Sequence, residues 1–218
     1  MNYNDIRKNE EVVALIHKGN EYLGRLGYTD HSEAHVTLVA MQAAHILESF
    51  GYDEHTVELA KIASFMHDIG NAVNRSHHGE YGALLAYDIL KKNGMPLDDC
   101  ITIMSAIGNH DESTGTAIDT ISAALIIADK SDVRRTRVRN TDIRTFDIHD
   151  RVNYAVTDSH LRIDPIKKTI SLDLKIDESI CTMYEYFDIF LGRMQMCRHA
   201  AEVLGAMFKL TVNGGKVL

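Results

Sequence analysis

Histidine and aspartate residues repeatedly interrupt the apolar stretches of this chain. His67 and Asp68 are adjacent in the segment FMHDIGN, directly after an apolar run, and Asp129 follows the apolar run ISAALIIA. A buried imidazole or carboxylate is unfavourable unless it is hydrogen-bonded or bound to a cation. In chain order the series is His35, His67, Asp68, His78, His110 and Asp129. Each residue alone could be a hydrogen-bonded core residue, but the whole series predicts a metal site.

The residue types of this series indicate which metals would bind. Imidazole and carboxylate ligands together suit Fe, Mn, Zn, Ni or Co better than Ca or Mg, and they require no cysteine. The three cysteines, Cys100, Cys181 and Cys197, form neither a CxxC pair nor a disulfide framework. We therefore expect a site for divalent transition metals, with Fe or Mn favoured and Ni, Co, Zn or Mg as alternatives.

Helical periodicity of the apolar positions dominates the chain. It predicts helices at residues 10–26, 32–50, 54–68, 78–93, 96–109, 117–138 and 178–208. Before the last helix, the segment HLRIDPIKKTISLDLKID alternates apolar and polar residues on both sides of a turn at Asp164-Pro165, which predicts a β-hairpin. The tail NGGKVL is expected to be frayed.

These elements predict a mainly α protein: a helical bundle with a small C-terminal β-hairpin and a long helix. We expect a helical metal-binding domain at residues 1–145 and a hairpin-and-helix appendage at residues 146–218. The candidate ligands lie on four or five different helices of the first region. Helical bundles build metal sites in this way, from side chains that converge from several helices. The apolar face of the last helix predicts either a core element or a homodimer surface.

Composition limits the classes of partner. The 218-residue chain has a net charge of -8, with 45% hydrophobic and 25% charged residues, so nucleic acid is a disfavoured ligand. No apolar run approaches the roughly 20 residues that cross a membrane. The polar start MNYNDIRKNEEVV is unlike a signal peptide, so we expect a cytoplasmic protein. The basic segment DKSDVRRTRVRN is either a solvated helix end or a phosphate-binding rim.

The ordered series resembles the HD-domain superfamily of metal-dependent phosphohydrolases. The resemblance covers about residues 30–135 and is carried by the segments HVTLVAMQAAHIL, FMHDIGN, HHGEYGALLA, AIGNH and IIADKSD. The four-ligand form of the family corresponds to His35, His67, Asp68 and Asp129, and the two-metal subset adds His78 and His110. Within that subset, the chain looks most like small bacterial hydrolases of dinucleoside polyphosphates.

The chain departs from these relatives where substrate phosphate would bind. Many of them have a lysine where this chain has Asn71, so a cation expected to touch phosphate is missing at that position. Arg75 or Lys130 could supply the charge instead. Both are therefore candidate catalytic residues, whereas the alternative role of each is a solvated surface charge.

Two further positions bear on the choice of subgroup and ligand. Phosphodiesterases of the HD-GYP type have a histidine pair where this chain has Asn109 and His110, and this difference disfavours that subgroup. His77 and His78 are adjacent and either could be a ligand, but the four-residue spacing to Gly82 favours His78.

The resemblance implies a two-metal hydrolysis in which Asp68 acts as the bridging ligand. His35, His67 and Asp129 would hold the first metal, and His78 and His110 the second. A metal-bound hydroxide would attack the phosphorus of a nucleotide or another small phosphate ester. Nearby carboxylates are expected to orient the ligands or to end helices: Asp111, Glu112 and Asp132.

Two other functions share the same ligand series. Some proteins of the HD fold are di-iron oxygenases, and a non-catalytic protein that binds a metal or a nucleotide for regulation could also keep the site. Uptake of oxygen would distinguish the first from a hydrolase, and a lack of turnover would identify the second. A complete ligand series favours the phosphohydrolase, because sites that have lost catalytic activity usually lose metal ligands as well.

Overall fold

Helices carry most of the chain, and strands are confined to its C-terminal third. The computed structural model describes residues 1–218. Its helices are α1 (Tyr3–Ile6), α2 (Glu10–Arg25), α3 (Glu33–Ser49), α4 (Glu54–Met66), α5 (His78–Lys92), α6 (Leu97–Gly108), α7 (Thr120–Ser131), α8 (Ile148–Ala155) and α9 (Met183–Val203). Its strands are β1 (Val156–Asp164), β2 (Thr169–Ile176), β3 (Met207–Val212) and β4 (Gly215–Lys216), and short 3-10 turns lie at Ile69–Ala72, Arg135–Arg137 and Ile143–Thr145.

Local sequence sets the ends of the helices. The side chains of Asp53 and Asp119 accept hydrogen bonds from backbone N–H groups at the starts of α4 and α7, which otherwise have no partner. Gly51 and Gly94 follow α3 and α5 with φ values of 79° and 78°. Glycine adopts this left-handed conformation without a steric penalty, so the chain can leave each helix sharply.

One hydrophobic core joins the helices to the sheet. Phe65 of α4 and Leu47 of α3 are fully buried in the bundle, and Phe190 of α9 and Leu210 of β3 belong to the same cluster. Burial of each such side chain contributes about 1.5–3 kcal/mol to stability. Helix α9 packs against both α7 and β3, so the C-terminal segment lies directly against the bundle.

The sheet has the order β1-β2-β3-β4. Strand β2 pairs with β1 in antiparallel and with β3 in parallel, while β3 and β4 are antiparallel. The parallel pairing needs a crossover connection, which α9 supplies. Phe208, Leu210 and Val212 alternate along β3 and are all buried, as expected for a strand with one face on the core.

The mainly α fold and the hairpin are confirmed, but several predicted boundaries are wrong. The helix predicted at 178–208 ends at Val203, and the chain turns at Gly205 with a φ of 67°. Strand β3 follows at Met207–Val212, and the tail NGGKVL, which was expected to be frayed, contains β4. The helix predicted at 117–138 ends at Ser131, and α8 was not predicted. The domain boundary at residue 145 remains a prediction. None of the helices has the length and apolar character that crossing a membrane requires.

Candidate metal centre

A close approach of backbone brings the end of α4 against the start of α5. Gly70 lies in the 3-10 turn after α4, where an added Cβ atom would overlap the carbonyl oxygen of His78 and lie 2.5 Å from the nitrogen of Gly82. A Cβ at Gly82 would in turn lie 3.2 Å from the carbonyl oxygen of His67. These two glycines therefore allow the segments that carry His67, Asp68 and His78 to pack together.

The four predicted histidines all direct Nε2 toward one centre, because each Nδ1–H is bonded on its outer side. The Nδ1 contacts are His35 to Asp132 Oδ2 (2.8 Å), His67 to Ser64 O (2.7 Å), His78 to Arg75 O (3.1 Å) and His110 to Ile107 O (2.6 Å). Carbonyl and carboxylate oxygens accept hydrogen bonds, so Nδ1 carries the proton in each ring. Each neutral ring consequently presents an unprotonated Nε2 to the centre.

One half of the centre gathers residues from α3, α7 and the end of α4. Nε2 of His35 lies 3.3 Å from Oδ1 of Asp129, and Nε2 of His67 lies 3.7 Å from the same oxygen. Oδ2 of Asp68 is 3.2 Å from His67 Nε2 and 3.8 Å from His35 Nε2. Ligand atoms of His35, His67 and Asp129 all lie within 4.8 Å of one another.

The other half is formed around the second oxygen of Asp68. Oδ1 of Asp68 lies 3.5 Å from Nε2 of His78, which is 3.1 Å from Nε2 of His110. Ligand atoms of His67, Asp68 and His110 also lie within 4.8 Å of one another. Asp68 thus presents one oxygen to each half, as a bridging carboxylate would.

The set of ligand atoms in this centre fits divalent cations. Nε2 of His35, Nε2 of His67 and Oδ2 of Asp68 are buried and make no hydrogen bond. Buried polar atoms are nearly always satisfied, and three acceptors that face one another cannot satisfy each other. A cation at this position would satisfy all of them, and imidazole with carboxylate is a usual ligand combination for transition metals.

The electrostatics keep most of these groups in the form that binds metal. Burial lowers the pKa of His110 to about 3, and burial also lowers the pKa of His78, so both rings are neutral near pH 7. Burial opposes ionisation of Asp68, but the adjacent His67 holds the pKa of this carboxyl well below its usual range. Burial likewise opposes ionisation of Asp129, but Lys130 holds its pKa well below the usual range.

His67 differs from the other rings in its electrostatic setting. Burial disfavours its protonated form, but the Asp68 carboxylate outweighs burial and raises the pKa of His67. A proton on His67 and a metal ion are therefore alternative ways to neutralise Asp68. Metal binding at this ring releases the proton, so we expect metal affinity to rise with pH.

A second layer of polar groups orients the candidate ligands. Asp132 is fully buried and accepts the Nδ1–H of His35, while Arg134 donates to both of its oxygens. Oδ2 of Asp111 lies 3.4 Å from Nδ1 of His78. Such outer partners fix the orientation of ligating rings, which is the role predicted for these two aspartates.

The residue that replaces the expected lysine is part of the same layer. Asn71 is buried, and its side chain donates to Oδ1 of Asp68 at 2.8 Å. Nη1 of Arg75 lies 3.4 Å from Asn71 Oδ1 and 3.4 Å from His78 Nε2, and its guanidinium lies over the ring of Tyr28. Arg75 therefore brings a positive charge beside the centre.

A cavity of about 400 Å³ opens over the centre. Asp68, His78, His110 and Asp129 line it together with the cations of Arg75, Lys130, Arg137 and Arg193. Nζ of Lys130 is 2.7 Å from Oδ2 of Asp129 and 3.0 Å from Oε2 of Glu112. Both predicted catalytic cations, Arg75 and Lys130, thus lie at the cavity beside the candidate ligands.

The arginines of the basic segment mainly make hydrogen bonds within the fold. Arg134 is bonded to Asp132, and Arg139 donates to the carbonyl oxygen of Tyr28. Arg137 is buried and donates to the backbone oxygens of Asp30 and Asp132, and it alone of the three lines the cavity. The segment is therefore neither a freely solvated helix end nor a continuous rim.

The structure separates His78 from His77 and reveals one further histidine. His77 is exposed and contacts Glu80, whereas His78 is buried and faces the centre.

His31, which was not among the predicted ligands, places Nε2 4.0 Å from Oδ2 of Asp68. Its position four residues before His35 is the sequence feature that could have identified it.

Other lining residues could not be found from the sequence. Phe190 and Arg193 of α9, and Asp147, His149 and Asn153 around α8, line the cavity although they belong to no recognisable motif. They lie far along the chain from the candidate ligands. Only the packing of the C-terminal segment on the bundle brings them to the cavity.

The chain is similar to known proteins in sequence and in structure. The family model of the HD domain matches residues 33–161, more than half of the chain. An uncharacterised protein of Methanocaldococcus jannaschii is 31% identical over 173 residues, which span 68% of this chain and 66% of that protein. A solved structure, a predicted HD superfamily hydrolase from an uncultured Thermotogales bacterium, is 22% identical, with a TM-score of 0.45 over 62% of this chain and 75% of that one. The chain belongs to the HD-domain family.

Proposed function

We propose that the protein is a metal-dependent phosphohydrolase that acts on a nucleotide or another small phosphate ester. The observation that carries the proposal is the convergence of imidazole nitrogens and carboxylate oxygens on the floor of a cavity that four cationic side chains also line. Three of these converging atoms, Nε2 of His35, Nε2 of His67 and Oδ2 of Asp68, are buried and make no hydrogen bond. The cavity can admit a small anionic molecule, and the floor requires cations. The family membership of the chain supports the same reaction class.

Seven side chains would take part in holding two divalent ions or orienting their ligands. His35, His67 and Asp129 would hold the first ion, and His78 and His110 would hold the second. Asp68 would contact both ions. Asp132 would orient His35. Such ions, when bound, supply Lewis acidity that activates water and neutralises phosphate charge. We expect Fe or Mn at both positions, with Ni, Co, Zn or Mg as alternatives.

Lys130 would bind a phosphate oxygen beside Asp129. Burial works against its charge, but the carboxylates of Asp129 and Glu112 raise its pKa, so Nζ stays protonated. Those two carboxylates occupy two of the three N–H donors of an ammonium group, which leaves one donor for substrate. The two contacts also fix the direction of Nζ before substrate arrives, which favours electrostatic stabilisation of the transition state.

Arg75 would bind phosphate from the other side of the centre. Its guanidinium is positioned by Asn71 and by the ring of Tyr28, and it stands next to His78. A planar guanidinium can contact two phosphate oxygens at once. Arg75 would thereby supply the charge that relatives place on a lysine at position 71.

The proposal is tested by a hydrolysis screen in Mn or Fe over nucleoside phosphates and simple phosphate esters. Asp68→Asn keeps the shape of the side chain but loses the charge, and we expect at least about a hundredfold loss of phosphate release. The matched control is Asp99→Asn, which alters an aspartate that is bonded to His55 and does not line the cavity. This control is expected to keep wild-type activity.

Two results would contradict the proposal. Wild-type activity in Asp68→Asn would remove this centre from the reaction. Failure of the metal-loaded wild-type protein to hydrolyse any of these compounds would remove the hydrolase function. Oxygen uptake in the same reactions would then assign the di-iron oxygenase alternative, and its absence would assign the regulatory one.

A further inference from the structure

The cavity has a second wall that lies outside the residues matched by the HD family model. That match ends at residue 161, whereas Phe190 and Arg193 of α9 line the cavity. Helix α9 is held in place by its packing against α7, which carries Asp129 and Lys130, and against β3. The C-terminal helix therefore forms a fixed wall of the cavity opposite residues of the bundle.

Arg193 is held in one orientation but keeps unused donors. Its Nε donates to Oε1 of Glu112 at 3.0 Å, and its guanidinium carbon lies 4.7 Å from the centre of the Phe190 ring. These contacts involve one N–H group and one face of the guanidinium. The terminal nitrogens make no hydrogen bond to the protein, and about a quarter of the side chain (26%) is exposed at the cavity.

A short chain of ion pairs connects Arg193 to the metal centre. Glu112 accepts from Arg193 through Oε1 and from Lys130 through Oε2, and Lys130 is also bonded to Asp129. Arg193 is thus separated from Asp129 by two intervening side chains. Lys130 would bind the phosphoryl group that is attacked. Arg193 lies beside Lys130 along the cavity wall, because both side chains bond to Glu112. This chain of ion pairs holds two cations and two carboxylates, so its charges balance, and the free terminal N–H groups of Arg193 are what it offers to an anionic ligand.

We propose that Arg193 binds a second phosphoryl group of the substrate, so that the preferred substrates carry at least two linked phosphates. The inference rests on the proposed function for the first phosphoryl group, which would lie on the metal centre. The terminal nitrogens of an arginine form a planar fork that matches two phosphate oxygens. A substrate with one phosphate would leave this fork without a partner. Helix α9 accordingly acts as a specificity element for the HD domain.

The test uses two probes that cannot be hydrolysed: methylenediphosphonate, with two anionic groups, and methylphosphonate, with one. Each is titrated calorimetrically into metal-loaded wild-type protein, Arg193→Gln and Arg198→Gln. The control Arg198 is on the same helix and also bonds a glutamate through Nε, but it does not line the cavity. We expect Arg193→Gln to weaken diphosphonate binding about tenfold or more and methylphosphonate binding less than about twofold. Arg198→Gln should change neither.

The inference is overturned if wild-type protein binds the diphosphonate no more tightly than methylphosphonate, or if Arg193→Gln binds it as well as Arg198→Gln does. Should Arg193→Gln fail to fold, Arg193→Lys decides the question, because it keeps the charge but loses the fork. We expect it to weaken diphosphonate binding at least about threefold, and unchanged binding would refute the proposal. These probes report binding, so a protein that hydrolyses nothing can still pass or fail this test.

Discussion

Replacing Asp132 by asparagine tests whether the outer layer prepares the centre for metal. Asp132 is fully buried and accepts the Nδ1–H of His35 at 2.8 Å, and this contact directs Nε2 of His35 toward Asp129. Burial opposes ionisation of Asp132, but the hydrogen bonds from His35 and Arg134 hold its pKa below the usual range. The asparagine keeps the shape of the side chain but removes its charge.

The expected loss can be worked out from these contacts. A hydrogen bond that involves a charged group contributes about 1.5–3 kcal/mol, and a neutral one contributes about 0.5–1.5 kcal/mol. Loss of the charge on Asp132 therefore weakens its bond to His35 by about 1–1.5 kcal/mol. Loss of such an outer partner commonly weakens metal binding about 10–100-fold, or about 1.4–2.7 kcal/mol. We therefore expect Asp132→Asn to raise the metal Kd by at least about tenfold.

The assay is competition for metal with a chromophoric chelator, accompanied by urea unfolding of the metal-free protein. Asp142→Asn is a matched control because Asp142 also accepts two hydrogen bonds from an arginine two residues later, Arg144, but contacts no histidine. The control should change metal affinity by less than about twofold. Equal metal affinities for the two variants would refute the idea that Asp132 orients His35.

Other predictions concern the backbone approach at the centre and the ion pairs beside it. Gly70→Ala should lower the free energy of unfolding by at least about 1–3 kcal/mol, because the added Cβ would overlap backbone atoms. Gly192→Ala has open space around its Cβ and should stabilise α9 by about 0.5–1 kcal/mol. Thermal unfolding measures both changes. Burial opposes ionisation of Glu112, but Lys130 and Arg193 lower its pKa from 4.5 to about 2. Its contribution to stability is therefore complete above pH 4.5 and lost as the pH falls toward 2, so Glu112→Gln should flatten the pH dependence of unfolding in that range. An unchanged slope would contradict this ion-pair assignment.

The series of candidate ligands could be predicted because local patterns carry it. His67 and Asp68 follow an apolar helical run and are buried, and Asp129 ends another run with only 12% of its side chain exposed, as periodicity predicted. The choice of His78 over His77 depended on spacing to Gly82, and the structure gives the reason. Gly82 packs against the backbone beside His67, which brings His78 to the centre.

Features that depend on long-range packing were not predictable. The segment MFKLTV alternates like a strand, but its apolar residues also fit a helical face, and its pairing with β2 decides between the two. Arg193 lies on an amphipathic helix with no motif around it, and it reaches the cavity only because α9 packs on α7. The domain boundary at residue 145 and the roles of the site residues remain predictions.

Metal content tests the central claim most directly. Elemental analysis of wild-type protein, purified without chelator and then equilibrated with Mn or Fe, should give close to two ions per chain. The double variant His78→Ala/His110→Ala, which removes the imidazoles around Oδ1 of Asp68, should give close to one. A wild-type protein that contains no metal and takes up none would contradict the account, because the unpaired atoms of His35, His67 and Asp68 would then have no cation to bind.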